Sequence, residues 1–499
     1  YITGEHYSDE KTLTNIIKHF DWLAEDSSHQ FETTFQSDGK SARDYIKKMF
    51  GRIIFLYFLQ RKGWLYDNEG KADAHYMRHL FDGAGELKNT FLDDVLELLF
   101  FYVLNTKPEQ RVQEAALAYK DISFLPGWEK IPFLNGGLFS QDDIDPKRCV
   151  FPAIYFDKLF SFLDSYNFTI DENDQEDAEI GIDPEMLGRI FENLLEDNKD
   201  KGAYYTPKEI VDYMCRESII AYLQNEPKNY TPEKAREFIE TLNIDILNDD
   251  ERTAIEKRLI KVKICDPAIG SGAFPMGLVN LLSKVFIVLR TYSNIDQAQM
   301  KRYIMEQSIY GVDIEQGAVD IARLRFWLAM VVDEDVERPL PNLHFKIMQG
   351  NSLLESYKGK DLSQLTEVNI GEPGSLGLQN EEAKSLIASL GRFYNESDHA
   401  ERKRILNDII NNVRRQIHEL TQSEEFMTDI KDLSATDKFF LWHTWFADVF
   451  AQGGFDIIIG NPPYIDSETM TNSQPHQRNI YKKLYSSRLW INSSALSSS

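Results

Sequence analysis

Up to residue 180, apolar residues recur at steps of three and four, the spacing of amphipathic helices. The clearest stretch runs from Ser41 to Leu65 (SARDYIKKMFGRIIFLYFLQRKGWL), with Ser41 as its cap and an end near Gly63. Its Phe- and Tyr-rich face predicts core packing rather than a ligand box. Helical spacing continues over 90–104 and 110–119, and the Gly-Gly of IPFLNGGLF (131–139) interrupts it. The acidic run DENDQEDAE (171–179) predicts a solvated loop and a domain boundary. Beyond it, Asp183 and Pro184 open a helix over 183–196. Thr206-Pro207-Lys208-Glu209 opens another, with Thr206 at the N-cap, Pro207 at the first helical position and Glu209 at the third.

From residue 261 the pattern changes to short apolar runs, each ending in a polar residue. In KVKICDPAIGSGAFPMGLVNLLSKVFIVL (261–289) a strand ends at Asp266, a turn holds Gly270 and Gly272, and a helix begins near Phe274. SIYGVDIEQGAVDIARLRFWLAMVV repeats the plan, with a strand over 308–312 and Asp313 at its end. HFKIMQGNSLLE (344–355) carries Asn351 and Ser352 just past a third strand, and FDIIIGNPPY (455–464) supplies a fourth. Bounded by Gly454 and Gly460, this last run predicts a central strand, stopped by prolines that cannot donate to a ladder. Strands and helices in this order predict an α/β chain, a doubly wound parallel sheet with its ligand crevice along one edge, preceded by a mainly helical part. Between the third and fourth strands, an alternating-charge pattern from Glu381 to Glu419 predicts a helical insertion or hairpin. Arg402, Lys403, Arg404, Arg414 and Arg415 fit its solvated face, with contact to a DNA backbone as the alternative.

The groups brought to the sheet edge define a chemistry. Pro462 has no N–H and a fixed φ, so the carbonyls around it are free acceptors with a set direction. Asn461 adds a side-chain carbonyl and Tyr464 a flat ring, a set that suits a planar substrate bearing an NH₂ group. Strand, glycine turn and helix form a nucleotide-type cofactor site, although the turn is not GxGxxG and no Walker lysine follows. Asp313 is placed to accept ribose hydroxyls and Asn351 to read an adenine edge. The helix start at Tyr205 and Thr206 suits a carboxylate.

The 499 residues exceed one core, so two or three domains are expected, and 42% hydrophobic content is enough to fill them. No uncharged apolar run reaches about 18 residues and no signal-peptide pattern opens the chain, so neither a membrane span nor secretion is expected. Cys149, Cys215 and Cys265 share no metal-like spacing, and the ten histidines are scattered. A reduced cytoplasmic setting without a metal site follows as the expectation. A net charge of −25 argues against a broad nucleic-acid surface, which needs Lys and Arg to neutralise phosphates.

The set DPAIGSGAF, YGVDIEQ, GNSL and FDIIIGNPPY, preceded by GAYYTPKEIV, resembles the motif series of adenine-N6 DNA methyltransferases that use S-adenosylmethionine, in the gamma order. NGGLF, LGRIFENLLE and WHTWFADVFAQGGFD resemble the large single-chain restriction-modification methylases of the Eco57I type, over nearly all of residues 10–485. The resemblance implies a Rossmann-like methyltransferase core over 181–485 with a helical insertion at about 356–437, a helical connector over 1–180 and an aberrant tail over 486–499. It gives Asp266, Ala268, Gly270 and Gly272 to the methionine half of the cofactor, Asp313 to its ribose, Asn351 to its adenine, and Tyr205 and Thr206 to its carboxylate. Asn351 stands where many of these enzymes have aspartate. Asn461 and the Pro462 carbonyl would accept from N6 of an adenine flipped out of double-stranded DNA, and Tyr464 would stack on the base.

The Ser-rich end (RLWINSSALSSS) and the short run after NPPY lead to the expectation of an N-terminal half. Its remaining strands and target-recognition domain would then lie on a further segment or partner chain. No nuclease constellation is legible. The alternatives are a methylation subunit of a type I restriction system, a catalytically inert assembly fragment, and a release-factor-type glutamine methyltransferase. Glutamine methyltransferases have a far shorter path from glycine turn to NPPY.

Overall fold

The computed structural model describes residues 39–134, 137–141, 151–168, 181–182, 206–225, 229–289, 297–334, 336–366, 381–396, 399–422, 426, 429–430, 432–463 and 481. Within these, four strands form one parallel sheet: β1 (Ile264–Asp266), β2 (Ile309–Asp313), β3 (Ile347–Gln349) and β4 (Ile457–Ile458). Their order across the sheet is β3-β2-β1-β4. From β1 the chain winds outward through β2 to β3, then returns to add β4 on the other side of β1. Such a reversal opens a crevice at the C-terminal ends of the two strands between which it occurs, here β1 and β4.

Side chains alternate across the pleat and so divide the interior in two. Ile264, Ile309, Ile347, Ile457 and Ile459 face a first core, while Cys265, Tyr310, Val312 and Met348 face a second. On the first face lie α1 (Gly39–Lys62), α2 (Lys208–Asn225), α3 (Ala273–Leu289), α4 (Gln297–Gln307) and α5 (Gln316–Asp333). Ser41 lies within helix α1 rather than capping it, and Gly63 at φ +78° ends the helix. Its buried Phe50, Ile53 and Phe58 belong to the same core as the sheet, and it packs along α5. The stretch predicted helical over 90–104 becomes two wide π-type turns, Leu92–Leu96 and Leu99–Leu104.

The second face is covered by α6 (Glu381–Asn395) and α7 (His399–Thr421), which pack on each other as the predicted hairpin. Leu390, Phe393, Ile409 and Val413 from this pair join Trp445 and Phe446 against the sheet. The basic side chains singled out on α7 bond locally: Arg402 donates to the Glu396 carbonyl at 3.0 Å, Arg404 meets Glu401 at 2.7 Å, and Arg414 reaches the Ile430 carbonyl at 2.7 Å.

Two polar devices hold the layers in register. Arg323 of α5 donates to the carbonyls of Ile347 and His344 at 2.9 and 3.2 Å, fixing β3 to the first face. At the N-terminal end of the strands, buried Lys346 donates to the Tyr310 hydroxyl at 2.7 Å, and that hydroxyl donates to Asp448 at 3.3 Å.

One expectation is corrected. FDIII was expected to form a central strand, but β4 is outermost among the described strands, and Ile458 is 69% exposed between buried Ile457 and Ile459. Its neighbours are buried because they face the first core, whereas Ile458 points to the other face beyond the reach of the second. No helix among the described residues is long and apolar enough to cross a membrane. The acidic run 171–179 and the helix expected over 183–196 lie outside the described residues.

Candidate active site

Strand β1 runs straight into the glycine turn. The Ile269 amide donates to the Val312 carbonyl at 3.0 Å, tying the turn to β2, and Gly272 closes it by donating to the Ile269 carbonyl at 2.8 Å. Gly270 and Gly272 have φ of +52° and +84°, a region that a side chain disfavours. A Cβ on Gly270 would meet no protein atom within 4 Å, so open space lies in front of the turn. From behind, the buried guanidinium of Arg325 donates to the Ser271 carbonyl at 2.8 Å and hydroxyl at 3.1 Å.

Two carboxylates end the adjacent strands. Asp266 Oδ1 accepts from the Ala268 amide at 3.0 Å. Asp313 accepts from Gly270 N–H at 2.9 Å through one oxygen and from Glu315 N–H at 3.0 Å through the other. Asp266 is buried and Asp313 half-buried, and among the described residues no Lys or Arg pairs with either. Burial pushes the Asp266 carboxyl up to about 8, and the charge of Asp313 adds to the effect. Asp313 is also raised by burial, opposed by its backbone donors.

A proton on Asp266 couples the site to stability. The folded chain keeps it up to about pH 8, whereas an unfolded carboxyl releases it near 3.8. Stability is therefore fullest below the unfolded value and falls as pH rises towards the folded one, because the native state binds the extra proton throughout that window. Replacing the acid by an amide, Asp266→Asn, is expected to flatten this decline. Denaturant midpoints at about pH 5 and pH 9 check it, and an equal drop in both proteins would discard the assignment.

The fourth strand delivers the acceptor segment beside these acids. A Cβ at Gly460 would overlap Asp266 Oδ1 and lie 3.2 Å from its Cγ, so the backbone at 460 rests directly on the carboxylate. The next residue, Asn461, is half-buried and donates through Nδ2 to Thr206 Oγ1 at 3.2 Å, across 255 positions of sequence. Pro462 and Pro463 are exposed at the mouth. The segment before α2, the glycine turn's acid and the Asn-Pro-Pro segment thus meet at the β1/β4 crevice.

Asn351, past β3, is buried with both ends of its amide engaged: Nδ2 donates to the Tyr481 hydroxyl at 3.2 Å, and Oδ1 accepts from the Leu353 amide at 3.2 Å. Tyr205 and Tyr464 lie outside the described residues. Sequence reasoning missed Gly460, read only as a strand boundary, and Tyr481, which no motif marks. Among the described residues, no group of three or more His, Cys, Asp or Glu side chains could hold a metal ion.

Residues 307–491 match the family model of the Eco57I restriction-modification methylase. A putative type II restriction enzyme and methyltransferase of Methanocaldococcus jannaschii is 26% identical, over 83% of this chain and 40% of that protein. The type II restriction enzyme and methyltransferase Eco57I of Escherichia coli is 21% identical, over 71% of this chain and 28% of its own length. This chain therefore spans less than half of either curated relative. Among solved structures, the type IIL restriction-modification enzyme MmeI in complex with DNA aligns at a TM-score of 0.42 and 19% identity, over 64% of this chain and 36% of that one.

Proposed function

The chain is a homologue of the Eco57I-like type II restriction-modification methyltransferases, and on that premise we propose that it transfers a methyl group from S-adenosylmethionine to N6 of an adenine in DNA. The observation that carries this reading is the contact of Gly460 with Asp266, which sets a carbonyl-rich segment and a glycine turn in one crevice.

The residues fit such a cofactor. A buried carboxylate with no cationic side chain against it suits a ligand that brings its own positive charge, and the space before Gly270 admits it. Asp266, Ala268, Gly270 and Gly272 would hold its methionine half and Asp313 its ribose, while Tyr205 and Thr206 would face its carboxylate. Asn351 would have to exchange Tyr481 or Leu353 for the adenine edge. When bound, the cofactor supplies a methyl on a sulfonium, a strong electrophile that needs only an aligned nucleophile.

Alignment is what the chain provides. The amine of adenine is conjugated to its ring and is a poor nucleophile. Asn461 Oδ1 and the Pro462 carbonyl accept its two hydrogens, draw them out of conjugation and turn the nitrogen lone pair towards the methyl. The adenine must leave the duplex to reach these acceptors, and unstacking costs roughly a few kcal/mol, partly recovered by stacking on Tyr464. Residues 181–485 form the catalytic part in this reading, with 356–437 as an insertion, 1–180 as a helical connector, 486–499 as a tail, and a cytoplasmic setting. The double-stranded DNA partner and a C-terminal segment or partner chain that selects the target sequence belong to the same proposal.

Incubation of the protein with labelled cofactor and mixed-sequence duplex DNA, followed by digestion to nucleosides, tests it. Label is expected in N6-methyladenine. Label in cytosine, or none in DNA of any sequence once the C-terminal segment or partner chain is also supplied, would refute the reading.

A further inference from the structure

We propose that Thr206 is a positioning residue that keeps the acceptor edge of Asn461 turned to the target amine. This rests on the adenine-methylating reading above. An asparagine amide presents an NH₂ edge and a carbonyl edge of nearly the same size, and rotation by half a turn exchanges them. Only the carbonyl edge accepts from an exocyclic amine. The wrong edge would set one NH₂ group against another and leave buried donors unsatisfied.

The contact at the crevice engages one edge. Asn461 Nδ2 donates to Thr206 Oγ1 at 3.2 Å, so the donor edge is occupied by the chain and Oδ1 is left for the substrate. A hydroxyl carries one proton and two acceptor lone pairs, so it can serve either edge of an amide until its proton is committed. Thr206 stands two residues before α2, where the helix end favours negative charge. An anionic group bound there accepts the hydrogen bond of the hydroxyl, leaves Oγ1 only its lone pairs to offer the amide, and so allows Asn461 only the productive orientation. The cofactor carboxylate is such a group in the proposed reading. A single hydroxyl then makes recognition of the target amine conditional on the cofactor.

The test compares the wild-type protein with Thr206→Val, which keeps the shape and removes the hydroxyl, and Thr206→Ser, which restores it. Valine is expected to lower kcat by about 10- to 100-fold while the KM for DNA changes little, and serine to recover most of the rate. A second readout separates positioning from mere support. Hypoxanthine presents a carbonyl where adenine presents NH₂, so an amide free to rotate would accept it. Wild type with a non-reactive cofactor analogue is expected to bind an adenine duplex over a hypoxanthine duplex by about tenfold or more, and Thr206→Val to narrow that preference, the fixed Pro462 carbonyl retaining part of it.

Unchanged kcat and unchanged discrimination in the valine variant, with an active wild type, would overturn the assignment of Thr206 alone. A loss of kcat with the adenine preference undiminished would also overturn it, since the hydroxyl would then act only as support. A wild type that methylates no adenine would remove the reading on which the assignment stands.

Discussion

Asn461→Ala is expected to abolish methyl transfer, lowering kcat by at least about 1,000-fold, while cofactor binding persists. The variant deletes the one side-chain acceptor proposed for the amine and leaves a single carbonyl to hold two hydrogens. Thr206 then loses its donor, and the adjoining Pro462 and Pro463 have no polar side chain to offer. Cofactor affinity should survive because Asp266, Asp313 and the glycine turn are supported by β1, β2 and Arg325 rather than by Asn461. Single-turnover transfer and equilibrium dialysis of labelled cofactor report the two quantities separately. Normal turnover would sink the assignment, and loss of cofactor binding would make Asn461 a structural prop of the pocket.

The second large effect is expected at a residue with no side chain. In Gly460→Ala the new methyl overlaps a carboxylate that is itself enclosed, so either Asp266 or the acceptor segment must move. Overpacking of this kind costs about 1–3 kcal/mol of stability. The larger consequence is catalytic, because misplacement by about 1 Å costs on the order of 100-fold in rate. Gly391→Ala, in helix α6 with open space around the new methyl, is the control and should be neutral or stabilising. If Gly460→Ala proves as active as that control, the crevice tolerates movement that the proposed alignment forbids.

Much of this architecture could be read from the chain because its signals are local. The glycine turn, the acids at the ends of β1 and β2 and the prolines after β4 each report on a few adjacent residues, and short apolar runs ending in a polar residue made the strands legible. What escaped depends on distant partners. Nothing in Thr206 or Asn461 announces a hydrogen bond between them, and Gly460 reads as punctuation until Asp266 is seen against it. The FDIII run misled for a related reason: three isoleucines in a row suggest burial on both faces, yet only one face of β4 is covered among the described residues. Ser41 looked like a cap because of its residue type, while it lies within the helix.

The join between β1 and β4 also governs when the crevice comes into being. Lys263 N–H donates to the Asp456 carboxylate across 193 positions, and the two strands pair immediately beyond. Closing so long a loop is entropically costly, and contacts of that span tend to form late. A ribosome-bound nascent chain could assemble β1, β2 and β3 with their helices long before β4 emerges, and would carry the glycine turn with no acceptor segment beside it. In the finished molecule β4, bonded to a single described neighbour, is also the natural point of fraying. Hydrogen exchange should then find the Ile457 and Ile459 amides, which bond to the Lys263 and Cys265 carbonyls, among the first to open at this join, making the proposed reactivity the last property gained in folding and the first one lost.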